Sequence, residues 1–161
     1  MMSGRRVVIT GIGSVSAAGA GGAAVVAEAL ERRPRTIAPL RAFDVGGCRS
    51  RLAAEVEEAR FMTLLDPDGV RRLSRICRMT LAACRLAVEE AGLAGGERLG
   101  LVVGSEYGDF RSGAEFFNGF LNRGPVGLSP MVFPSTVMNS MAAVAAISLG
   151  AKAASVTLNQ L

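Results

Sequence analysis

The 161-residue chain contains no histidine and no tryptophan, and it has only one tyrosine and one lysine. Without an imidazole, this polypeptide has no side chain whose ordinary pKa lies near neutrality. Ser–His and Cys–His nucleophilic arrangements are therefore excluded within the chain. There are three cysteines, Cys48, Cys77 and Cys84. An odd count with no closely spaced pair argues against a disulfide framework and fits a reducing cytoplasm. With no histidine and no C-x-x-C pair, no metal site is expected. Cys77 and Cys84 are seven positions apart, so on a helix they share a face and read as small buried hydrophobes.

Long apolar runs are also missing. Met141 to Leu149 is too short to span a bilayer, and Asn139 and Ser140 precede it. Arg5-Arg6 before small apolar residues mimics a secretion signal, but Val7-Val8-Ile9-Thr10-Gly11-Ile12-Gly13 reads better as a β-branched strand entering a glycine turn. A soluble protein with no membrane partner is expected. Dense basic tracts with interleaved aromatics are missing too. The 18 bases and 14 acids leave a net charge of +4, and the arginines are scattered, with short clusters such as Arg32-Arg33 and Arg71-Arg72. No nucleic-acid partner is expected. The arginines read mainly as a solvated surface, with a docking patch for an acidic partner as the alternative.

Half of the residues are hydrophobic, mostly small aliphatics, and glycine occurs 20 times. This composition suits one packed α/β domain over residues 1–161. A strand is expected over Arg5 to Gly11, followed by a helix near Gly21 to Arg33 with Val25, Val26, Ala29 and Leu30 in one stripe. Thr36 to Val45 reads as irregular, and Arg51 to Val56 as a short edge strand. Asp66-Pro67 marks a helix start. Ser74 caps a longer helix from Arg75 to Ala91, which Gly92 terminates. Leu99 to Val103 is a continuous apolar run, expected to be a strand covered on both faces. Asp109 to Leu121 is expected to be helical, with Phe116, Phe117 and Phe120 as core anchors, and Gly124-Pro125 ends it. A helix over Ser135 to Leu149 and a strand over Ser155 to Leu158 complete the pattern.

Two glycine turns invite functional readings. Gly11 and Gly13 match the first two positions of a dinucleotide-binding turn, but Ser16 holds the third, so a structural turn is preferred and no cofactor is expected. Gly104-Ser105-Glu106-Tyr107-Gly108 follows the apolar strand, at the end where open α/β sheets bind ligands. It is either a plain turn or the wall of a pocket with Tyr107 as its bulky side chain. On the late helix, Met138, Met141, Ala142 and Ala145 form a stripe that reads as core or as an adaptable binding face. Asn139 is its polar exception, expected to tie the helix to a loop by hydrogen bonds.

The order of three segments carries a resemblance. Leu99-Gly100-Leu101-Val102-Val103-Gly104-Ser105, then Phe133-Pro134-Ser135-Thr136-Val137-Met138-Asn139, then Ala154-Ser155-Val156-Thr157-Leu158, resembles the N-terminal half of a β-ketoacyl-acyl-carrier-protein synthase of the thiolase-like fold. Phe43-Asp44 and Ala87 to Leu93 fit the same pattern. The resemblance implies an α/β, thiolase-like layered helix–sheet–helix fold, N-terminal half only. It implies an acyl pocket lined by Ser105, Tyr107, Met138 and Met141, with Tyr107 matching the side chain that gates it. It also implies an acyl carrier protein as partner, together with a complementary C-terminal half or a ketosynthase-family subunit in a homo- or heterodimer.

In that family a cysteine at a helix start carries the acyl group, and two later histidines assist. By alignment the cysteine would fall one residue beyond Leu161, so no catalytic residue is assigned to this chain. Lys152-Ala153-Ala154 stands where Arg-Gly-Pro is usual, Asn159-Gln160-Leu161 where small residues are usual, and Ala143 where glycine is common. These departures, with Gln160 near the nucleophile region, resemble chain-length-factor partners that have lost catalysis. The expected role is the N-terminal portion of a chain-elongating ketosynthase, not competent alone. The alternatives are a non-catalytic chain-length-factor-like subunit and a stand-alone α/β binding module.

Overall fold

A computed structural model describes residues 6–159. In chain order the elements are β1 (Ser14–Ser16), β2 (Gly19–Gly21), α1 (Ala23–Arg32), β3 (Ala38–Pro39), β4 (Leu52–Ala53), α2 (Ala59–Met62), α3 (Pro67–Val70), α4 (Arg75–Glu90), β5 (Leu101–Gly104), α5 (Phe110–Arg123), a 3₁₀ turn (Gly124–Gly127), α6 (Phe133–Thr136), α7 (Ser140–Leu149) and β6 (Ser155–Leu158). Two compact units divide them. One holds the described residues up to Phe61 with Ala83–Leu93; the other holds Met62–Ala82 and the described residues from Ala94 onward.

In the first unit, β1 and β2 form an antiparallel pair, as do β3 and β4. The strand expected over Arg5 to Gly11 does not form; Arg5 itself lies outside the described residues. Val7 and Ile9 are 93% and 85% exposed. β-Branched residues favour a strand only where a neighbouring strand takes their hydrogen bonds and a layer covers their side chains. Gly11 and Gly13 have a packing reason. A methyl on Gly11 would fall on the Ala87 carbonyl, and one on Gly13 on the Ala83 carbonyl. Only glycine lets this segment lie so close to the second half of α4. The Glu90 carboxylate then accepts from the N–H groups of Ile12 at 2.6 Å and Ala23 at 2.8 Å, fastening the glycine segment and the start of α1 to the end of α4. Along α1, Val25, Val26 and Ala29 are half-buried, but Leu30 is exposed.

In the second unit, Asp66 caps α3 by accepting from the N–H groups of Asp68 and Gly69, with Pro67 at the first helical position. β5 and β6 pair in parallel with Leu101 opposite Ser155 and Gly104 opposite Leu158. Bonds from Leu101 N–H to the Ala154 carbonyl (2.8 Å) and from Ser105 N–H to the Leu158 carbonyl (3.0 Å) extend that ladder at both ends. Helix α7 packs on both strands. The buried apolar residues are Leu65, Val70, Cys77, Leu81, Ala82, Met141, Ala142 and Ala145.

Three expectations need correction in this unit. Val102 is 66% exposed, so β5 is covered on one face rather than two, because α7 lies on one side of the ladder only. On α5 the predicted anchors separate. Phe116 is half-buried and meets Phe133 at a centroid distance of 5.7 Å, whereas Phe117 and Phe120 are exposed. The three lie on one face of the helix, so the exposure of Phe117 and Phe120 shows that the neighbouring segments cover only the Phe116 edge of that face. The helix expected over Ser135 to Leu149 is broken. Val137 leaves α6 in an extended conformation, and α7 starts afresh after Asn139. Among the described residues, no helix is long and apolar enough to cross a membrane.

Candidate functional site

The turn after β5 is built by its own side chains. Ser105 Oγ accepts the Gly108 N–H at 2.9 Å, closing the bend over Ser105 to Gly108. Gly108 has φ +58, a left-handed conformation that a side chain disfavours. Asp109 then caps α5, and its buried carboxylate accepts from Ser112 N–H at 3.1 Å and from Ser112 Oγ–H at 2.8 Å. Both carboxylate oxygens thus have donors, which is what burial requires of a charge. Tyr107 projects outward, 63% exposed, with its ring edge-on to Phe110 at a centroid distance of 6.5 Å.

The four predicted pocket residues take four different places. Ser105 shapes the turn through its hydroxyl. Tyr107 stands at the turn's surface. Met138, in the break between α6 and α7, lies against Gly108: a methyl built on Gly108 would come 2.7 Å from Met138 Sδ. The structure therefore brings the β5 turn and the methionine-bearing segment together. Met141 is different, only 4% exposed and packed with the buried Ala142 and Ala145 in the core of its unit. Asn139 sits at the N-cap position of α7, but its exposed side chain makes no capping bond. An exposed amide can be satisfied by solvent without a cap of this kind.

None of the cysteines is placed as an activated nucleophile. Cys77 is buried and lies 3.9 Å from Ser140 Oγ. Burial pushes the Cys84 thiol up from its ordinary pKa, which disfavours the thiolate. Cys48 is exposed in a loop.

A cavity of about 490 Å³ opens beside the turn. It is lined by Arg75, Arg78 and Met79 of α4, by Gly108 and Asp109, and by Phe110 and Arg111 of α5 among others. It shares Gly108 with the turn, but Ser105, Tyr107, Met138 and Met141 do not line it. Sequence reading missed this cavity. The signal was there in Arg75, Arg78 and Arg111, basic residues in or just after the first turn of two predicted helices, where acids are favoured.

Residues 4–159 match the family described as "Beta-ketoacyl synthase, N-terminal domain". The chain is 27% identical over 152 residues to a 3-oxoacyl-[acyl-carrier-protein] synthase 2 of Synechocystis, covering 92% of this chain and 36% of that protein. It is 31% identical over 158 residues to the granaticin polyketide putative beta-ketoacyl synthase 1 of Streptomyces violaceoruber, covering 92% and 37%. Among solved structures, the ishigamide ketosynthase/chain length factor superposes with a TM-score of 0.79 at 26% identity, covering 96% of this chain and 40% of that one. A beta-ketoacyl synthase of Burkholderia phymatum shares the fold, with a TM-score of 0.74 at 21% identity. The fold is thus the thiolase-like α/β class that the sequence resembles. The chain spans about two fifths or less of the length of the relatives it matches.

Proposed function

Because the chain belongs to the beta-ketoacyl synthase N-terminal domain family, we propose that it serves as the N-terminal portion of a ketosynthase-type condensing unit in fatty-acid or polyketide chain elongation. In that chemistry an acyl group rides on a thiolate while malonyl carrier protein loses carbon dioxide. The resulting enolate attacks the acyl carbonyl, a carbon–carbon bond forms, and the carbon–sulfur bond to the thiolate breaks. The imidazoles that assist it come from outside this chain, which has no histidine, and none of Cys48, Cys77 and Cys84 is placed as an activated nucleophile. This polypeptide contributes scaffold and pocket wall. The observation that carries the reading is the family match over residues 4–159, supported by the contact between Gly108 and Met138.

Acyl carrier protein is the acidic partner in this reading. Arg71 and Arg72, both exposed between α3 and α4, offer the positive charge that steers such an encounter. A complementary C-terminal half or a ketosynthase-family subunit is the second partner, in a homo- or heterodimer. The exposed Val102 and Leu158 on the β5–β6 pair are apolar surface that such a partner would cover. A cytoplasmic setting goes with three free cysteines.

A second reading is a non-catalytic partner that sets product length. It is favoured by the superposition on a ketosynthase/chain length factor and by Tyr107 at the β5 turn. A stand-alone binding module is separated from both by capture of acyl carrier protein. Reconstitution tests the proposal: with a ketosynthase-family subunit, the chain is expected to co-purify and to retain acyl carrier protein. A chain that captures neither contradicts both of the first two readings.

A further inference from the structure

A second cavity, of about 390 Å³, lies in the first unit, bounded by β1, the β1–β2 turn, α1 and the segment just after α1. That volume is within the range of small-molecule sites. Most of its lining is aliphatic. Val25, Val26, Ala29 and Leu30 supply one stripe of α1, and Pro34 follows beyond the helix. Leu30 is 71% exposed, so this stripe is not sealed by other parts of the unit.

The polar side chains of the lining divide by what they already hold. Ser16 Oγ accepts the Ala18 N–H at 3.2 Å and donates to the Gly19 carbonyl at 3.2 Å, so the turn uses it fully. The Ser14 and Thr36 hydroxyls and the Arg33 guanidinium have no hydrogen bond or ion pair among the described residues. Arg32 differs, being paired with Glu28 at 3.0 Å. Among the described residues no carboxylate lines the cavity, so nothing there offsets the Arg33 charge. Arg33 is also the one residue other than glycine with a positive φ, +43, among the described residues. That backbone conformation favours glycine, and the chain places a guanidinium there instead. The dipole of α1 favours a cation at its C-terminal end. It does not account for two free hydroxyls on the same cavity.

We propose that this cavity binds a small aliphatic carboxylate, with its head on Arg33, Ser14 and Thr36 and its hydrocarbon on Val25, Val26, Ala29 and Leu30. A carboxylate only accepts hydrogen bonds, and all three polar groups can donate; the planar guanidinium can hold both carboxylate oxygens at once. No aromatic ring is in the lining, so the complementary body is aliphatic. The inference stands independently of the condensing role, since it rests on charge and shape within the first unit.

Hexanoate and hexanol are titrated into the full chain, with calorimetry for affinity and amide NMR shifts for location. Hexanoate is expected to bind one to one and to shift the amides of residues 14–19 and 25–36. Hexanol should bind at least about tenfold more weakly, the scale of one charge-assisted contact. Arg33→Gly removes the guanidinium at a position whose backbone already suits glycine, so circular dichroism should show the fold retained. That variant should weaken hexanoate about tenfold and leave hexanol unchanged. Raised salt should weaken hexanoate in the parent chain. Equal affinity for hexanol, shifts confined to other residues, no saturable binding of hexanoate, or an unchanged affinity in Arg33→Gly overturns the proposal.

Discussion

Gly108 lies against Met138, with room for no side chain between them: a methyl built on Gly108 comes 2.7 Å from the methionine sulfur. The glycine also sits at φ +58, where a side chain costs about 1–2 kcal/mol. Gly108→Ala is therefore expected to destabilise the chain by about 2 kcal/mol or more in chemical denaturation. In a Met138→Ala background the contact part disappears and only the backbone part remains. Equal losses in both backgrounds would mean that the two residues do not touch.

Glu90 gives the first unit a pH dependence. Its pKa is held below the ordinary carboxylate value first by the Ile12 N–H and then by the Ala23 N–H, against a smaller opposing effect of desolvation. A carboxylate with a depressed folded pKa contributes stability above its unfolded pKa of about 4.3 and loses it as pH falls through the folded pKa. Glu90→Gln should therefore lower the melting temperature at neutral pH, and the gap from the parent should close well below that pH. A gap that persists in acid would place the effect elsewhere.

Thr157 on β6 has a buried hydroxyl with no hydrogen-bond partner among the described residues. Replacing such a group by an apolar one of the same shape removes a desolvation penalty. Thr157→Val is expected to raise stability by about 1 kcal/mol, read as a higher urea midpoint. A lower midpoint would reveal a partner for the hydroxyl.

Tyr107 is exposed at the bend and touches Phe110 edge-on. If it forms the wall of an acyl pocket in the assembled unit, Tyr107→Ala in a reconstituted pair lengthens the products seen by mass spectrometry. Because the side chain is exposed here, the stability of the chain itself should change by less than about 0.5 kcal/mol. Unchanged product lengths would remove Tyr107 from that role.

Much of the fold was legible where a local signal decides the structure. Asp66-Pro67 starts α3, the three- and four-residue spacing from Ile76 to Val88 produces α4, Asp109 caps α5, and the segment over Ser155 to Leu158 forms β6. The losses came where a partner layer decides. Val7 to Ile9 have strand-forming residues but no ladder among the described residues, and Val102 has an apolar side chain but only one covered face. Met138 keeps helical spacing with Met141, Ala142 and Ala145, so periodicity could not reveal the gap between α6 and α7. At the candidate site, the approach of the β5 turn to Met138 followed from the resemblance. The burial of Met141 fits the core reading of its stripe, whereas the solvent-facing Asn139 depends on tertiary packing that spacing alone does not encode.

The most direct test of the central claim is a condensation assay with acyl and malonyl carrier proteins, read by mass spectrometry of the carrier-bound products. The chain alone should form no carbon–carbon bond. Addition of a complementary half or ketosynthase subunit that carries the thiolate and the imidazoles should yield the extended product. Extension by the purified 161-residue chain alone would contradict the account.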